Sequence, residues 1–401
     1  MTIVKGKRKG RVWRWLGIVT GSLIAVLAGA LIYFVDWSSP NNLEDYMAAK
    51  LDRARIPGMA AVIIKDNHIE RKLHYGYADK EAGVKVDEDT IFQIASVSKT
   101  VTAAAVMKLE EQGVMKLDDA INDYLPEPIL HPVYPETPIT FRMLLSHTSG
   151  IKDNQEVYKS LYTIHEGGGD SPVTLEQLVR EYFRQDGRWY DAEQNFTPDE
   201  PGTAFAYSNV GYGLLGYLIE QLAGMSFDQY TQKQIFEPLG MEDTYWFHSR
   251  MDTGRLAVPY EDGKPLPAYS FATYPDGALK TTPEDYAKFM ISMMPKEGDS
   301  GTILLQRDTL GRMLEPAAHN GKQAMGWSYS VLDGLMLKSL NNGRIVGHGG
   351  SDPGVFTLVL FDPDKHNGVI IFMNQNVNLQ PRVLNVYMAV KRLVSEAFPA
   401  A

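Results

Sequence analysis

The stretch Thr90-Ile91-Phe92-Gln93-Ile94-Ala95-Ser96-Val97-Ser98-Lys99-Thr100-Val101-Thr102-Ala103-Ala104-Ala105-Val106 decides how the rest of the chain is read. Val101, Ala104, Ala105 and Leu109 recur at helical spacing and the run stops at Gly113, which predicts a helix with Ser96 in its first turn. Lys99 then stands one turn on, on the same face. An amine beside a hydroxyl at the positive end of a helix dipole eases formation of both an alkoxide and a neutral amine, as an activated nucleophile requires. A lone Ser-x-x-Lys is weak by itself, since a solvated serine and lysine at a helix start give the same spacing.

Upstream, Ala60 to Lys65 and Glu70 to Tyr77 are β-rich runs on either side of Asp66-Asn67, a hairpin signal. Before them Leu43, Met47 and Leu51 repeat every four residues until Ile56-Pro57-Gly58, giving an amphipathic helix. Trp15 to Val35 contains no charge and is long enough to cross a bilayer. Lys5, Lys7, Arg8, Lys9, Arg11 and Arg14 precede it, and Asp36, Glu44 and Asp45 follow. The positive-inside rule then puts a basic tail, residues 1–14, in the cytoplasm and everything after Asp36 outside it. Ala28-Gly29-Ala30 offers a rival reading as a signal-peptide cleavage site, but Leu31-Ile32-Tyr33-Phe34-Val35 carries the apolar run past it. A retained signal anchor over 15–35 with a linker over 36–42 is the favoured reading, and both readings export the domain to the periplasm or the exterior of a bacterial cell.

Downstream, helices alternate with long polar loops from Leu117 to about Asn320, with little sign of strands. Ser171-Pro172 reads as the cap of a helix carrying Leu175, Leu178, Val179 and Tyr182. Leu214, Leu215, Leu218, Ile219 and Leu222 mark another, and Thr282-Pro283-Glu284-Asp285 opens a third. Met325–Leu332, Gly343–His348, Val355–Phe361 and Gly368–Met373 are short β-rich runs, and Arg382–Phe398 is a closing helix. Strands at both ends around a helical middle predict an α+β domain over 43–401: an antiparallel sheet lobe from 43–90 and 321–401, with flanking helices and a helical lobe, 91–320, inserted.

Composition narrows the chemistry. A 401-residue chain that is 44% hydrophobic and 22% charged has ample material for a core, and its net charge of −10 makes nucleic acid an unsuitable partner. The absence of cysteine excludes thiolate nucleophiles, disulfides and cysteine metal sites. His68, His74, His131 and His147 show no metal-ligand spacing and read as structural or surface groups, so neither a metal nor an organic cofactor is expected.

Acyl transfer needs a nucleophile, a group that takes and returns its proton, and donors aimed at the developing oxyanion. Ser96 supplies the first. Lys99 and Tyr207, in Tyr207-Ser208-Asn209, are candidates for the second, and the sequence leaves open which of them holds the proton. For lysine to act as a base, burial and neighbouring positive charge must lower its pKa. Asn209 has a two-sided amide suited to Lys99 and a substrate carbonyl. His348-Gly349-Gly350-Ser351 ends a β-rich run, its glycines admit a ligand backbone, and the Ser351 and Ser96 N–H groups suit an oxyanion hole.

Ser-x-x-Lys, Tyr-x-Asn and His-x-Gly, in that order, resemble the motifs of the serine hydrolases of the class C β-lactamase, D-Ala-D-Ala carboxypeptidase and esterase superfamily. Arg142-Met143-Leu144-Leu145-Ser146-His147-Thr148-Ser149-Gly150, Phe236-Glu237-Pro238-Leu239-Gly240-Met241, Gly277-Ala278-Leu279-Lys280-Thr281-Thr282 and Gly326-Trp327 are similar to that family as well. The resemblance implies Ser96 as nucleophile, Lys99 as its partner, Tyr207 as general acid/base, Asn209 as a hydrogen-bonding member and His348 to Ser351 as the substrate strand. Ser149-Gly150-Ile151-Lys152 repeats the spacing, but its glycine and Asp153-Asn154 read as a turn, so Ser149 is taken as structural. Class C β-lactamases usually carry Lys-Thr-Gly where this chain has His348-Gly349-Gly350, and a histidine only partly charged at neutral pH is a poorer carboxylate clamp. The expectation is a membrane-anchored hydrolase of a D-amino-acid peptide or small ester, ranked above a modest β-lactamase and above a non-catalytic penicillin-binding sensor.

Overall fold

A computed structural model describes residues 42–164, 169–296, 304–317, 321–335, 337, 344–377 and 383–399. The anchor expected over 15–35, its basic tail and most of the linker lie outside the described residues. Among the described residues no helix is long and apolar enough to cross a membrane. The chain divides into two compact units, Met1–Lys50, of which 42–50 are described, and Leu51–Ala401, which holds the sheet and the site.

In chain order, helix α1 (Leu43–Ala54) starts at Asn42, whose Oδ1 accepts the Asp45 N–H at 2.7 Å. Strands β1 (Gly58–Lys65) and β2 (His68–Asp79) form the expected hairpin, turning at Asp66 and Asn67, whose φ of 51° and 68° are those of a turn that asparagine and aspartate tolerate. β3 (Val84–Lys85) and β4 (Phe92–Gln93) lead to helix α2 (Ser98–Glu111). The helical middle contains α3 (Leu175–Phe183), α4 (Asn209–Ala223) and α5 (Pro283–Ser292). It also holds short strands: β5 (Tyr162–Ile164), β6 (Thr244–Tyr245), β7 (Tyr260–Glu261), β8 (Lys264–Pro265), β9 (Tyr269–Phe271) and β10 (Lys280–Thr281). β11 (Val346–Asp352), β12 (Val355–Asp362) and β13 (Asn367–Met373) precede the closing helix α6 (Val383–Ala397).

The main sheet runs β11-β12-β13-β1-β2-β3, with every pairing antiparallel, so the two ends of the sequence meet where β1 pairs with β13 and Val62 faces Ile370. Alternation assigns the faces. Ala60, Val62, Ile64, Ile370 and Phe372 join the core shared with the helical middle, and Phe372 touches the Tyr286 ring of α5 at 5.9 Å. The intervening Met59, Ala61, Ile63, Val369 and Ile371 are also buried, on the other face, and α6 packs on β1 and β13. A strand covered on both faces reads as a continuous apolar run, which is what Ala60-Ala61-Val62-Ile63-Ile64 is.

Three local expectations are corrected. The middle does contain strands, but at two or three residues they are too short for alternation to register. α3 is capped by Thr174, not Ser171-Pro172: Thr174-x-x-Gln177 has capping-box spacing, and its hydroxyl accepts the Gln177 N–H at 3.1 Å. Met325–Leu332 is not a strand, because Gly326 sits at φ 76°, where an added Cβ would lie 2.5 Å from that of Ala103. It makes single bridges at Gln323–Ser328 and Ser328–Gly347 instead.

Candidate active site

α2 is buried on all sides through Met107, a position its Ala103-Ala104-Ala105 run permits by letting neighbours approach closely. Ser96 lies just ahead of the helix, in a 3-10 turn over Ala95–Val97, rather than in its first α-helical turn. Ala95 has φ 47°, a left-handed conformation costly for a residue with a Cβ, and the turn leaves Ser96 partly exposed among buried neighbours. Side chains fix it: Ser98 Oγ donates to Ala95 O at 2.7 Å and accepts from Leu279 N at 3.1 Å, and Thr102 Oγ1 donates to Pro275 O at 2.6 Å.

Lys99 is fully buried and its three N–H bonds find three acceptors: Ser96 Oγ at 3.3 Å, Asn209 Oδ1 at 2.7 Å and Asp276 O at 2.8 Å. The ammonium stands 5.0 Å from the centre of the Tyr207 ring and 5.6 Å from that of Tyr212. Burial acts to lower its pKa, but Tyr207 and the carboxylates of Asp276 and Asp153 outweigh burial and hold it above the ordinary lysine value. The lowering that a lysine base would require is therefore not met, because the neighbours of Lys99 are acidic or neutral.

Asn209 opens α4 behind its cap, Ser208, whose hydroxyl accepts Gly211 N–H at 2.9 Å. Its amide oxygen holds Lys99 as expected. Its nitrogen donates to Asp153 Oδ2 at 2.8 Å, and Asp153 also accepts the Asn209 and Val210 N–H groups at 3.0 and 2.9 Å, so a carboxylate closes the N-terminus of α4. Tyr207, 40% exposed, lies against the buried His147 ring at 4.3 Å, which in turn meets Tyr212 at 5.1 Å. His147 Nδ1 accepts the Ser208 N–H at 3.2 Å, and burial, with Lys99 and His348 nearby, holds its pKa well below the usual histidine value.

β11 lies at the end of the sheet, alongside the Ser96 turn. At Gly350 a Cβ would come within 2.2 Å of Thr357 Oγ1 and 2.7 Å of Ile94 O, so only glycine lets the strand come this close to the turn. Gly349 and Ser351 are exposed while His348 and Gly350 are buried. Ser328 bridges Gly347, and beyond that point the outer edge from His348 to Asp352 has no strand partner among the described residues. His348 Nδ1–H donates to Gly349 O at 2.7 Å; burial, then the charge of Lys99, pushes its pKa down to about 4. It is therefore neutral at pH 7, not partly charged as expected.

The structure thus brings Ser96, Lys99, Tyr207, Asn209 and the His348–Ser351 strand together. Ser149 stays apart, its Oγ accepting the Ile151 N–H at 3.3 Å in a buried turn. Sequence reasoning missed Asp153, Asp276 and His147. A hydroxyl, an ammonium and a phenol gathered beside the edge strand of an antiparallel sheet are what acyl transfer to serine demands, and a serine hydrolase is the class these parts describe. Residues 43–391 match the family model described as Beta-lactamase, and the chain belongs to that family. It is 25% identical over 359 residues to Protein flp of Staphylococcus aureus (strain MW2), covering 86% of this chain and 65% of that protein. It is likewise 25% identical over 372 residues to the D-alanyl-D-alanine-carboxypeptidase/endopeptidase AmpH of Escherichia coli (strain K12), covering 88% of this chain and 90% of AmpH. The solved structure of EstCE1, a hydrolase with promiscuous acyltransferase activity, superposes with a TM-score of 0.67 at 25% identity, covering 87% of this chain and 97% of the other.

Proposed function

We propose that Ser96 is acylated by an amide or ester, with Tyr207 as the proton carrier and Lys99 as the fixed positive charge that favours its phenolate. Ser96 Oγ attacks the carbonyl carbon as its proton passes to the Tyr207 oxygen. The oxyanion forms between the N–H groups of Ser96 and Ser351. The C–N or C–O bond then breaks as Tyr207 returns the proton to the leaving group, and water, deprotonated by the same phenolate, releases the acid. The observation that carries this reading is Lys99, whose three N–H bonds end on Ser96, Asn209 and Asp276. That array suits an ammonium better than an amine that must accept a proton.

A neutral His348 supports a substrate that is uncharged where the substrate strand meets it, as an ester or an internal amide of a D-amino-acid peptide is. It ranks these above β-lactams, whose carboxylate calls for a cation. We further propose that the domain 43–401, with its sheet lobe (43–90 and 321–401) and helical lobe (91–320), is carried outside the cytoplasm by a retained helix over 15–35, a reading supported by the uncharged run and the basic residues before it. The full chain in detergent, assayed on p-nitrophenyl acetate, a C-terminally amidated D-Ala-D-Ala peptide and nitrocefin, is expected to favour the ester or the amidated peptide. Ser96→Ala is expected to abolish turnover and labelling by a fluorescent fluorophosphonate. Unchanged ester hydrolysis by Ser96→Ala would remove the nucleophile assignment, and a wild-type protein that stays dark would favour the sensor.

A further inference from the structure

The 3-10 turn Tyr274–Asp276 lies against the first turns of α2. Asp276 closes it, and two features of this residue reach Lys99. Its backbone carbonyl accepts a Lys99 N–H at 2.8 Å, and its carboxylate Oδ1 lies 3.7 Å from the same nitrogen, with the two side chains 2% and 0% exposed. Any residue would present that carbonyl. What the side chain adds is a negative charge out of water, an expensive group to bury unless a cation answers it. Among the described residues Lys99 is the cation within ion-pair distance of Asp276. On its far side the carboxylate accepts from Tyr158 Oη at 3.3 Å.

We infer that Asp276 is a positioning residue for the reaction: its buried carboxylate keeps Lys99 protonated and so leaves Tyr207 as the group that exchanges the proton with Ser96. This rests on the acyl-enzyme reading above and adds to it the residue that fixes the proton's location. The groups facing Lys99 are Tyr207, Asp276 and Asp153, which hold its proton, the Tyr212 ring, the more distant Asp352, and His147 and His348, which are neutral. Those facing Asp276 are Lys99, Tyr158 and Asp153, with Tyr162 and Asp352 beyond them. Burial, only partly offset by Lys99, pushes Asp276 up to about 6, so it is ionised above that pH, where an esterase assay is run.

The sign of the effect follows from charge alone. Removing a negative group lowers the proton affinity of every ionisable neighbour. In Asp276→Asn Lys99 therefore releases its proton at lower pH, and the alkaline limb of the kcat/KM profile for p-nitrophenyl acetate moves acidward by ~1 pH unit, a tenfold change in that ionisation ratio. Tyr158→Phe, which keeps the carboxylate and disturbs the same packing, is expected to leave that limb in place. A purely structural role would change the rate or the melting temperature of both variants without displacing the profile.

The test is the pH dependence of p-nitrophenyl acetate hydrolysis, and of fluorophosphonate labelling, by the full-length wild type, Asp276→Asn and Tyr158→Phe. An alkaline limb that stays fixed in Asp276→Asn, or that moves equally in Tyr158→Phe, overturns the inference. Should Asp276→Asn not fold, the wild type alone still decides: its labelling is expected to persist to about pH 10, the ordinary lysine range, and an alkaline fall centred near pH 8 overturns the proposal. Absence of wild-type labelling at every pH would instead remove the acyl-enzyme reading, so the two failures are distinct.

Discussion

Lys99 and Lys280 are both wholly buried, each near a histidine that burial keeps neutral, yet their surroundings drive them in opposite directions. Lys99 faces a phenol and two carboxylates and holds its proton more tightly than a lysine in water. Lys280, on β10 in the small sheet β4-β10-β6, donates to the carbonyls of Trp246 at 3.0 Å and Ala278 at 2.9 Å, and burial pulls it down to about 7 with Asp170 only partly offsetting it. Carbonyl dipoles satisfy hydrogen bonds without repaying the loss of water around a full charge, whereas formal anions do repay it. The same side chain is therefore an electrostatic device in one region and a filler of polar space in the other.

Replacing each lysine by methionine separates those roles most widely. Lys99→Met is expected to lower kcat/KM for p-nitrophenyl acetate by ~10³-fold, the range seen when a group that stabilises charge in the transition state is removed. Lys280→Met is expected to stay within about threefold of the wild type, since among the described residues its amine bonds the carbonyls of Trp246 and Ala278 rather than Ser96, Lys99 or Tyr207, and a change that touches no reacting group leaves transition-state binding intact. A folded Lys280→Met with a collapsed rate would break the comparison.

Stability should show the reverse order. With a folded pKa of about 7 against an unfolded value near 10.4, Lys280 binds its proton in the unfolded chain but not in the native one across that interval. Stability then rises with pH from about 7 to about 10, and the wild type should gain about 4 kcal/mol relative to Lys280→Met over that range, read from urea midpoints. A flat difference would show that Lys280 keeps its charge.

The histidines offer a smaller contrast of the same kind. His348 beside Lys99 and His248 near Lys280 are both brought to about 4 by burial and then by the neighbouring lysine. No histidine inflection is expected in kcat/KM between about pH 5.5 and 8, a window above both values. His348→Lys would place a cation on the substrate strand, and should shift preference toward carboxylate-bearing substrates by about tenfold, the size of one charge-assisted hydrogen bond.

How much of this was legible depended on the range of the interaction. Ser96 and Lys99 are three residues apart, so helical spacing alone brings them together. Tyr207, Asn209 and the His348 strand are distant, and only the order of three motifs pointed to their meeting. Asp153 reads locally as a turn residue before Asn154, yet its carboxylate caps a helix that begins at Asn209. Pro275-Asp276-Gly277 likewise reads as a turn, and nothing in its spacing announces a carboxylate aimed at Lys99. His147, within Leu144-Leu145-Ser146-His147-Thr148, reads as a structural or surface group, and nothing in its spacing announces a ring packed against Tyr207. The sheet was clear where strands are long and buried on both faces; the strands of the middle are two or three residues long, and most pair with segments distant in the chain, which no local pattern records.

The smallest expected effect tests whether the two lysine regions are independent at all, because only the segment Gly277–Leu279 separates Asp276 from Lys280. Just beyond β10, Thr282 caps α5 by accepting the Asp285 N–H at 3.1 Å, with Pro283 in the first turn. Thr282→Ala should cost about 1 kcal/mol, the usual loss for a helix cap, and lower the urea midpoint without moving the pH profile. The same loop also hands Leu279 N to Ser98 Oγ at 3.1 Å, one residue from Lys99. If loosening the cap shifted the alkaline limb of the profile as Asp276→Asn is expected to, strain would be passing along that loop, and the charge of Lys99 would depend on the whole segment rather than on one carboxylate.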